Sequence, residues 1–149
     1  MVKKTKIKTF YEAIGRRKSA SARIRLYLAT KGEVDIFGSK VKKGAIIVNK
    51  KPAGEYFGAG FNIQQYLTPL KLTNNLDRFA ISAVITGGGR QGQLEALILG
   101  IARALILVDI SFRPALKKAG FLTVDSRVRE RRKPGTGGKA RRKKQSPKR

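Results

Sequence analysis

The sequence predicts a domain of mixed strands and helices, the α+β class, followed by a long, extended and basic C-terminal tail. Three observations predict it: a segment of alternating apolar and polar residues, an apolar segment that leads through glycines into a strong helical pattern, and an abrupt change of composition at Ser126. The chain of 149 residues therefore divides into a globular domain, residues 1–125, and a tail, residues 126–149.

The first third of the chain predicts four strands. A candidate strand at residues 10–16 leads into the charged sequence "GRRK", which predicts a turn. Residues 19–29 alternate and predict a strand with one apolar and one basic face. The apolar face has Ala22, Ile24, Leu26 and Leu28, and the other has Arg23, Arg25 and Tyr27. Two further strands are predicted at residues 34–37 and 45–48, and "FGSKVKKGA", residues 37–45, is interpreted as a loop with three lysines, Lys40, Lys42 and Lys43.

The middle of the chain predicts two short helices and a central strand. "NKKPAGEYFG" is typical of a turn followed by a helix that starts near Pro52. Residues 62–67 predict another helical turn that ends before Pro69. "DRFAISAVIT" is apolar and rich in β-branched residues, so it predicts a central strand.

The strongest helical pattern lies in residues 94–108. Apolar residues recur at helical spacing, and a second row of small residues four apart predicts close backbone contact with a neighbouring element. The apolar row is Leu94, Leu97, Ile98, Ile101, Leu105 and Val108, and the small row is Gly92, Ala96, Gly100 and Ala104. A final short helix is predicted at residues 113–118, with Gly120 as its C-terminal stop.

Charge and composition restrict the function. Lys and Arg number 34 against 9 acidic residues, a net charge of +25 whose self-repulsion a polyanion would relieve. Nucleic acid is therefore the first candidate partner and an anionic membrane surface the second. The chain has no Cys and no His, which excludes thiol chemistry, His base catalysis and the usual zinc ligand sets. The N-terminus lacks an apolar signal region, and charges interrupt the apolar run 94–110, so we expect an intracellular, soluble protein without a membrane partner.

The tail has no apolar periodicity and carries twelve basic residues and one acid, eleven of the twenty-five net charges. Such a segment cannot bury enough apolar surface to order itself, so we expect it to become ordered only on a partner. Its basic residues are Arg127, Arg129, Arg131, Arg132, Lys133, Lys139, Arg141, Arg142, Lys143, Lys144, Lys148 and Arg149.

The sequence "TGGGRQG" fits the G-x-G-x-x-G pattern of dinucleotide-binding loops with Gly87, Gly89 and Gly92. The wider context fails, because a second helix rather than a strand follows the helix, and Asp109 lies in the helix's last turn. Two interpretations remain open. The glycines form only a tight turn between strand and helix, or the helix N-terminus together with Arg90 binds a phosphate of RNA.

A second basic cluster, "GRRKSASARIR", contains Arg16, Arg17 and Lys18 and continues into Arg23 and Arg25. It is interpreted either as a solvated surface or as a phosphate contact, which the net charge favours. Three nearby aromatics, Phe10, Tyr11 and Tyr27, are candidates for base stacking, although a core position is favoured for Phe10. The acidic residues are scattered and form no catalytic pair, so the sequence does not predict an enzyme.

Four motifs of the sequence are "GRRKSASARI", "IIVNKKPAGEYF", "GGGRQGQLEALILGIARAL" and the end from "LKKAGFLTVD" onward. Together they resemble the universal small-subunit ribosomal protein S-nine family of bacterial type. The resemblance implies a two-layer domain, a four-stranded sheet with helices on one side, as in the second domain of ribosomal protein S-five. It also implies binding to 16S rRNA in the head of the small subunit, contacts with neighbouring small-subunit proteins, and a tail that reaches the P-site tRNA through Lys148 and Arg149.

The sequence departs from the family at three places. It ends in Gln-Ser-Pro-Lys-Arg, where the family has Gln-Phe-Ser-Lys-Arg. Ile98 and Leu99 stand where the family often has Arg and His, and the segment 37–45 is longer than usual. Its three lysines, Lys40, Lys42 and Lys43, are interpreted either as an added rRNA contact or as part of a solvated loop, which is favoured.

The expected function is therefore that of a structural rRNA-binding protein of the cytoplasmic ribosome, without cofactor, metal or small-molecule substrate. A DNA-compacting basic protein is the alternative, and a nucleotide-binding enzyme is a third hypothesis. The expected rRNA contacts are Arg16, Arg17, Lys18, Arg90, Lys117, Lys118, Arg127, Arg129, Arg131, Arg132, Lys133, Lys139, Arg141, Arg142, Lys143 and Lys144.

Overall fold

A computed structural model describes residues 10–28, 32–36, 38–58 and 63–131. Strands come first along the chain and helices dominate the second half, with one long strand between the helices. The elements are β1 (Phe10–Arg17), β2 (Ala20–Leu28), β3 (Glu33–Ile36), β4 (Ser39–Lys42), β5 (Ile46–Val48), β6 (Lys51–Pro52), α1 (Ala53–Phe57), α2 (Ile63–Leu72), β7 (Phe79–Thr86), α3 (Arg90–Val108), a 3₁₀ helix (Ile110–Phe112) and α4 (Arg113–Lys118).

The main sheet has the strand order β1-β2-β7-β5-β6. Neighbouring strands are antiparallel except β5 and β7, which are parallel and are joined by a crossover that contains α1 and α2. The α+β class is confirmed, and β7 is the central strand, as predicted. The sheet has five strands rather than the four that the family resemblance implies, because the two-residue β6 pairs with β5.

The β1–β2 hairpin corrects the predicted turn. Gly15, Arg16 and Arg17 belong to β1, and the register pairs Arg17 with Ala20, so the turn consists only of Lys18 and Ser19. Lys18 takes a positive φ of 54°, which a two-residue hairpin turn requires. The strand therefore continues through the charge cluster, and its alternation sends Arg16 and Arg17 to opposite faces of the sheet.

The helix α3 packs across β1 and β2. The whole row of small residues and most of the apolar row are buried, whereas Ile98 and Val108 are partly buried and pack against the core. The contact is closest where Gly100 of the helix meets Gly15 of β1. A Cβ on Gly100 would lie 2.5 Å from Cγ1 of Ile24 and 3.3 Å from the Gly15 nitrogen. The predicted close backbone contact is confirmed. Among the described helices, only α3 has the length and hydropathy of a membrane span, and 56% of that stretch is buried, as expected for a core helix.

The opposite face of the sheet is partly covered by a second hairpin, formed by β3 and β4. The predicted loop at residues 37–45 is wrong for Ser39–Lys42, which pair with β3. Val41 is buried between two exposed lysines, Lys40 and Lys42, so one face of this hairpin packs and the other is solvated. Its buried side chains, Ile36 and Val41, form a second small core with Tyr27 and Ala80 of the main sheet.

The helix α2 continues through Pro69, although the sequence predicts an end before it. Pro69 lacks an amide hydrogen and costs the helix one hydrogen bond. The surrounding residues compensate, because Tyr66 and Leu70 bury their side chains in the main core and Pro69 itself is buried. The Thr73 hydroxyl donates to the Pro69 carbonyl at 3.1 Å, which satisfies an acceptor at the helix end.

The last helix ends as predicted. Gly120 takes a φ of 80°, and its amide donates to the Lys117 carbonyl at 3.0 Å. The Phe121 amide donates to the Leu116 carbonyl at 3.1 Å, which completes a Schellman motif. Beyond Phe121 the chain turns back toward α3, and residues 123–131 form no regular element.

Candidate nucleic-acid interface

The glycine segment between β7 and α3 is a tight turn that fits against the β1–β2 hairpin. Gly87 and Gly88 have φ values of 69° and 68°, and α3 begins at Arg90 with Gly89 as its N-cap. A Cβ on Gly87 would collide with the Ser19 carbonyl oxygen, and one on Gly88 would lie 2.9 Å from the Ala20 nitrogen. The glycines that the structure requires are thus Gly87 and Gly88, whereas Gly89 faces open space.

The dinucleotide pattern is not completed. In the described part of the chain after α3, a 3₁₀ helix and α4 follow in place of a second parallel strand. Asp109 caps the 3₁₀ helix, because its carboxylate accepts from the Ser111 amide at 2.8 Å. The interpretation as a tight turn is therefore sufficient for the fold, and the binding of an RNA phosphate at this turn stays a prediction.

A polar network that the sequence analysis missed holds the turn in place. Asn49 has a positive φ of 48° and lies beside β7. Its side-chain Oδ1 accepts from the Ile85 amide at 2.9 Å, and its Nδ2 donates to the Ile85 carbonyl at 2.9 Å. Tyr56 then donates its hydroxyl to Gln93 at 3.1 Å, and Gln93 donates to the Gly87 carbonyl at 3.0 Å. The motif "VNKKPAGEYF" thus supplies the side chains that connect β5 and α1 to the glycine turn.

We expect Asn49→Ala to lower the free energy of unfolding by about 3 kcal/mol. The substitution leaves the backbone amide and carbonyl of buried Ile85 without the hydrogen bonds that Asn49 provides, and it puts alanine at a positive φ. Urea denaturation measures the change. Tyr56→Phe removes only the hydroxyl of the same network and should cost about 1 kcal/mol or less. Equal losses in the two variants would contradict the central role given to Asn49.

Three of the predicted RNA-contacting residues, Arg16, Lys18 and Arg90, are exposed around the glycine turn. Arg16 lies on β1, Lys18 in the hairpin turn that contacts the glycines, and Arg90 at the first position of α3. No ion pair joins any of them to a carboxylate in the described residues. The N-terminus of α3 has no side-chain cap and no acidic residue in its first turn, so its partial positive charge adds to theirs.

Arg17 has a different environment from its neighbour Arg16. It points toward α3, its side chain is only 14% exposed, and its Nε contacts the Glu95 carboxylate at 2.5 Å. Its Nη2 lies 3.0 Å from the Asp125 carboxylate, which also accepts from Arg127 at 2.6 Å. The four charged residues Arg17, Glu95, Asp125 and Arg127, here called the anchor cluster, attach the start of the C-terminal segment to the hairpin and to α3.

The anchor cluster is expected to open in acid. Hydrogen bonds from Arg127 lower the pKa of Asp125. Burial raises the pKa of Glu95, but hydrogen bonds from Arg17 and Gln91 together lower it by more than burial raises it, so the net shift is downward. Because both pKa values are depressed in the folded chain, the attachment is complete at neutral pH and is lost progressively below about pH 4. The Arg127 amide, which donates to Asp125 at 3.0 Å, should lose protection from hydrogen exchange in that range.

A substitution of Arg17 tests the same attachment at neutral pH, where both carboxyl groups of the anchor cluster are ionised. Arg17→Gln should reduce protection of the Arg127 amide at pH 7 without an effect on amides in β7. Protection of the Arg127 amide that Arg17→Gln leaves unchanged at pH 7 would contradict the electrostatic attachment.

The remaining predicted contacts fall into three groups. Lys117 and Lys118 are exposed in the last turn of α4, on the helix side of the sheet. Arg129 and Arg131 are exposed and have no described ion-pair partner. The others lie outside the described residues: Arg132, Lys133, Lys139, Arg141, Arg142, Lys143, Lys144, Lys148 and Arg149.

The aromatic candidates for base stacking are occupied within the domain. The Phe10 and Tyr27 rings lie 5.6 Å apart, and Tyr27 is 8% exposed beneath the β3–β4 hairpin. Tyr11 packs against the main core.

Within the described ranges, no three acidic residues come together in a group able to hold a metal ion. The exposed end of the domain around the glycine turn therefore presents guanidinium, ammonium and backbone amide groups, and such groups bind phosphate oxygens.

Comparison with known proteins agrees with this chemistry. The family model described as ribosomal protein S9/S16 matches residues 15–149. The small ribosomal subunit protein uS9 of Mycoplasma mobile is 40% identical over 125 residues, which cover 84% of this chain and 86% of that protein. The chain thus belongs to the ribosomal protein S9 family of structural, non-enzymatic components of the small ribosomal subunit.

Proposed function

We propose that the protein binds 16S rRNA in the head of the small ribosomal subunit and that its C-terminal segment extends to the P-site tRNA. One observation carries the first part of the proposal. Arg16, Lys18 and Arg90 converge with the uncapped N-terminus of α3 at one exposed end of the domain, and none of them forms an ion pair with a carboxylate among the described residues. An RNA backbone supplies the anionic oxygens that these groups lack.

The contacts at this end position the protein more than they select a sequence. Guanidinium and ammonium groups bind phosphates, which every nucleotide carries, so discrimination depends on the shape of the folded RNA. The glycine turn supports this role, because Gln93 of α3 donates to the Gly87 carbonyl and accepts from the Tyr56 hydroxyl, which connects the turn to the first part of α3. A folded RNA whose phosphates match this spacing binds in preference to an arbitrary duplex.

The segment 126–149 contributes eleven net positive charges and carries Lys148 and Arg149, the proposed tRNA contacts. Its proposed path to the P-site tRNA is supported by the family membership and by its composition, since glycines and prolines are interspersed among the basic residues. The proposed location is the ribosome in the cytoplasm, where rRNA and neighbouring small-subunit proteins are the partners. Neither a cofactor nor a small-molecule substrate takes part.

A competition experiment tests the proposal against the alternative of a DNA-compacting protein. The full chain is bound to a labelled 16S rRNA head fragment, and unlabelled fragment or duplex DNA of equal length is added across a salt series. The rRNA fragment should compete at least tenfold more effectively than DNA, with a steep salt dependence for both. Equal competition by DNA would favour the compacting protein and overturn the proposal.

A further inference from the structure

One face of the main sheet is only half covered. The β3–β4 hairpin covers the end near Tyr27 and Ala80, but the outward side chains toward the hairpin turn have no element over them among the described residues. The register places them in two rows across β1, β2 and β7. These residues, here called the open sheet face, are Ile14, Arg23 and Val84 in one row and Arg16, Ser21 and Thr86 in the next.

The charges of the open sheet face are positive and unneutralised. Arg16 and Arg23 are both exposed, and neither pairs with a carboxylate in the described ranges. The next row contains Glu12, but its carboxylate is occupied by Arg25 at 2.5 Å. Because Arg16 and Arg23 are diagonal neighbours on adjacent strands, their Cα atoms lie about 7–8 Å apart. Two long guanidinium side chains can therefore contact one short stretch of a polyanion.

The aromatic residues of this face are not available for base stacking. Phe10 and Tyr27 pack under the β3–β4 hairpin, and the Arg25 guanidinium covers the Phe10 ring at 4.7 Å. Sheets that bind single-stranded RNA use exposed aromatics on the central strands. Here the uncovered rows present only arginines, hydroxyl groups and two aliphatic side chains, Ile14 and Val84.

We infer that the open sheet face is a second RNA-binding surface, which holds the sugar-phosphate backbone of folded rRNA through Arg16 and Arg23 and does not stack bases. The inference rests on the proposed function and extends it from the hairpin turn onto the face of the sheet, where Arg23 lies beside Arg16. Ser21 and Thr86 add hydroxyl donors between the two arginines and the glycine turn. Ile14, 43% exposed, provides an aliphatic surface for the ribose.

The open sheet face is continuous with the end of the domain that carries Lys18 and Arg90. Thr86 directly precedes Gly87, and Ser21 is separated from the turn residue Ser19 by one position. One RNA element can therefore extend from the N-terminus of α3, past the hairpin turn, onto the sheet. The helix side of the domain is separated from this path by the sheet itself.

Neutralisation of Arg23 tests the inference in the full chain. Arg23→Gln should weaken binding to the 16S rRNA head fragment by roughly five- to tenfold and reduce the salt slope by about one. Arg78→Gln is the matched control, since Arg78 is also exposed and precedes β7 at the end of the strand opposite to Thr86. Equal affinity losses in the two variants, or no loss for Arg23→Gln, would overturn the inference.

A proximity measurement separates this inference from the proposed function. The chain has no Cys, so Ser21→Cys and Ala115→Cys each place one tethered hydroxyl-radical probe on a single face. When the variants are assembled with 16S rRNA, the probe on Ser21→Cys should cleave the RNA backbone at a defined position, and the probe on Ala115→Cys should not cleave at that position. If the full chain binds the rRNA but Ser21→Cys gives no cleavage, the sheet surface is excluded while the proposed function stands. If the full chain fails to bind, the proposed function itself fails.

Discussion

Deletion of residues 127–149 is expected to leave the domain folded and to weaken rRNA binding by at least a hundredfold near physiological salt. The fold survives because all residues of the main core and Phe121 and Leu122, which pack against it, precede the deletion. Binding falls because eleven of the twenty-five net positive charges are removed, and each phosphate contact contributes about 0.9 to the slope of log affinity against log salt. Circular dichroism measures the fold, and a salt series of rRNA binding measures the slope.

A variant of full length distinguishes charge from chain length in this deletion. Replacement of the twelve Lys and Arg residues of 127–149 by Gln keeps the length and should reproduce the loss of affinity and of salt slope. An unchanged slope in the truncated chain would mean that the segment makes no phosphate contacts. Loss of the folded signal would mean that the segment belongs to the domain.

Gly15→Ala is expected to destabilise the domain by about 3 kcal/mol or more, since the new methyl group would meet backbone atoms rather than a movable side chain. A Cβ at this position would lie 2.5 Å from the Gly100 nitrogen and even closer to the Ala96 carbonyl oxygen. To accept it, α3 must move away from β1, which opens the contact between the longest helix and the sheet. Urea denaturation monitored by circular dichroism measures the loss.

Gly92→Ala provides the matched control, because Gly92 belongs to the row of small residues in α3 that also contains Gly100, the residue that Gly15 contacts. There a Cβ would lie 3.4 Å from the Arg17 carbonyl oxygen and 3.7 Å from the Ala20 Cβ, which are ordinary contacts. The helix gains about 1 kcal/mol in propensity from this change, so stability should be kept or slightly raised. Comparable losses at Gly15 and Gly92 would show that the close contact is not specific to Gly15.

Local periodicity carried most of the successful predictions. The alternation in β2, the β-branched run of β7 and the helical spacing in α3 each depend on residues within one element, so their patterns survive in the sequence. The row Gly92, Ala96, Gly100 and Ala104 even predicted the close approach of α3 to a neighbour. The stop at Gly120 was equally local, because the Schellman motif needs only six consecutive residues.

The errors arose where distant residues decide the local structure. Pro69 continues inside α2 because Tyr66 and Leu70 are buried in a core that forms only on folding. The strand β4 has a single buried side chain, Val41, whose partner Tyr27 belongs to β2. Both cases show burial overriding a local signal that taken alone predicts a break or a loop.

The candidate interface was predicted in part. The basic residues at the hairpin turn and at Arg90 could be named from charge alone, but the positions of their partners could not. Arg17 and Arg16 are adjacent in sequence, and only the strand register sends Arg17 to Glu95, which lies 78 positions away. Asn49 was missed for the same reason, because its partner Ile85 is 36 positions distant.

The anchor cluster also determines the point on the domain from which the rest of the C-terminal segment extends. Asp125 is held against the hairpin and α3, and a fully extended chain covers at most about 3.3–3.6 Å per residue. The 24 residues that follow Asp125 therefore set an upper limit of about 80–86 Å on the distance between that carboxylate and any group that Arg149 is proposed to contact. Loss of the Arg17 contact would move the point from which this limit is measured, and with it the set of phosphates within range.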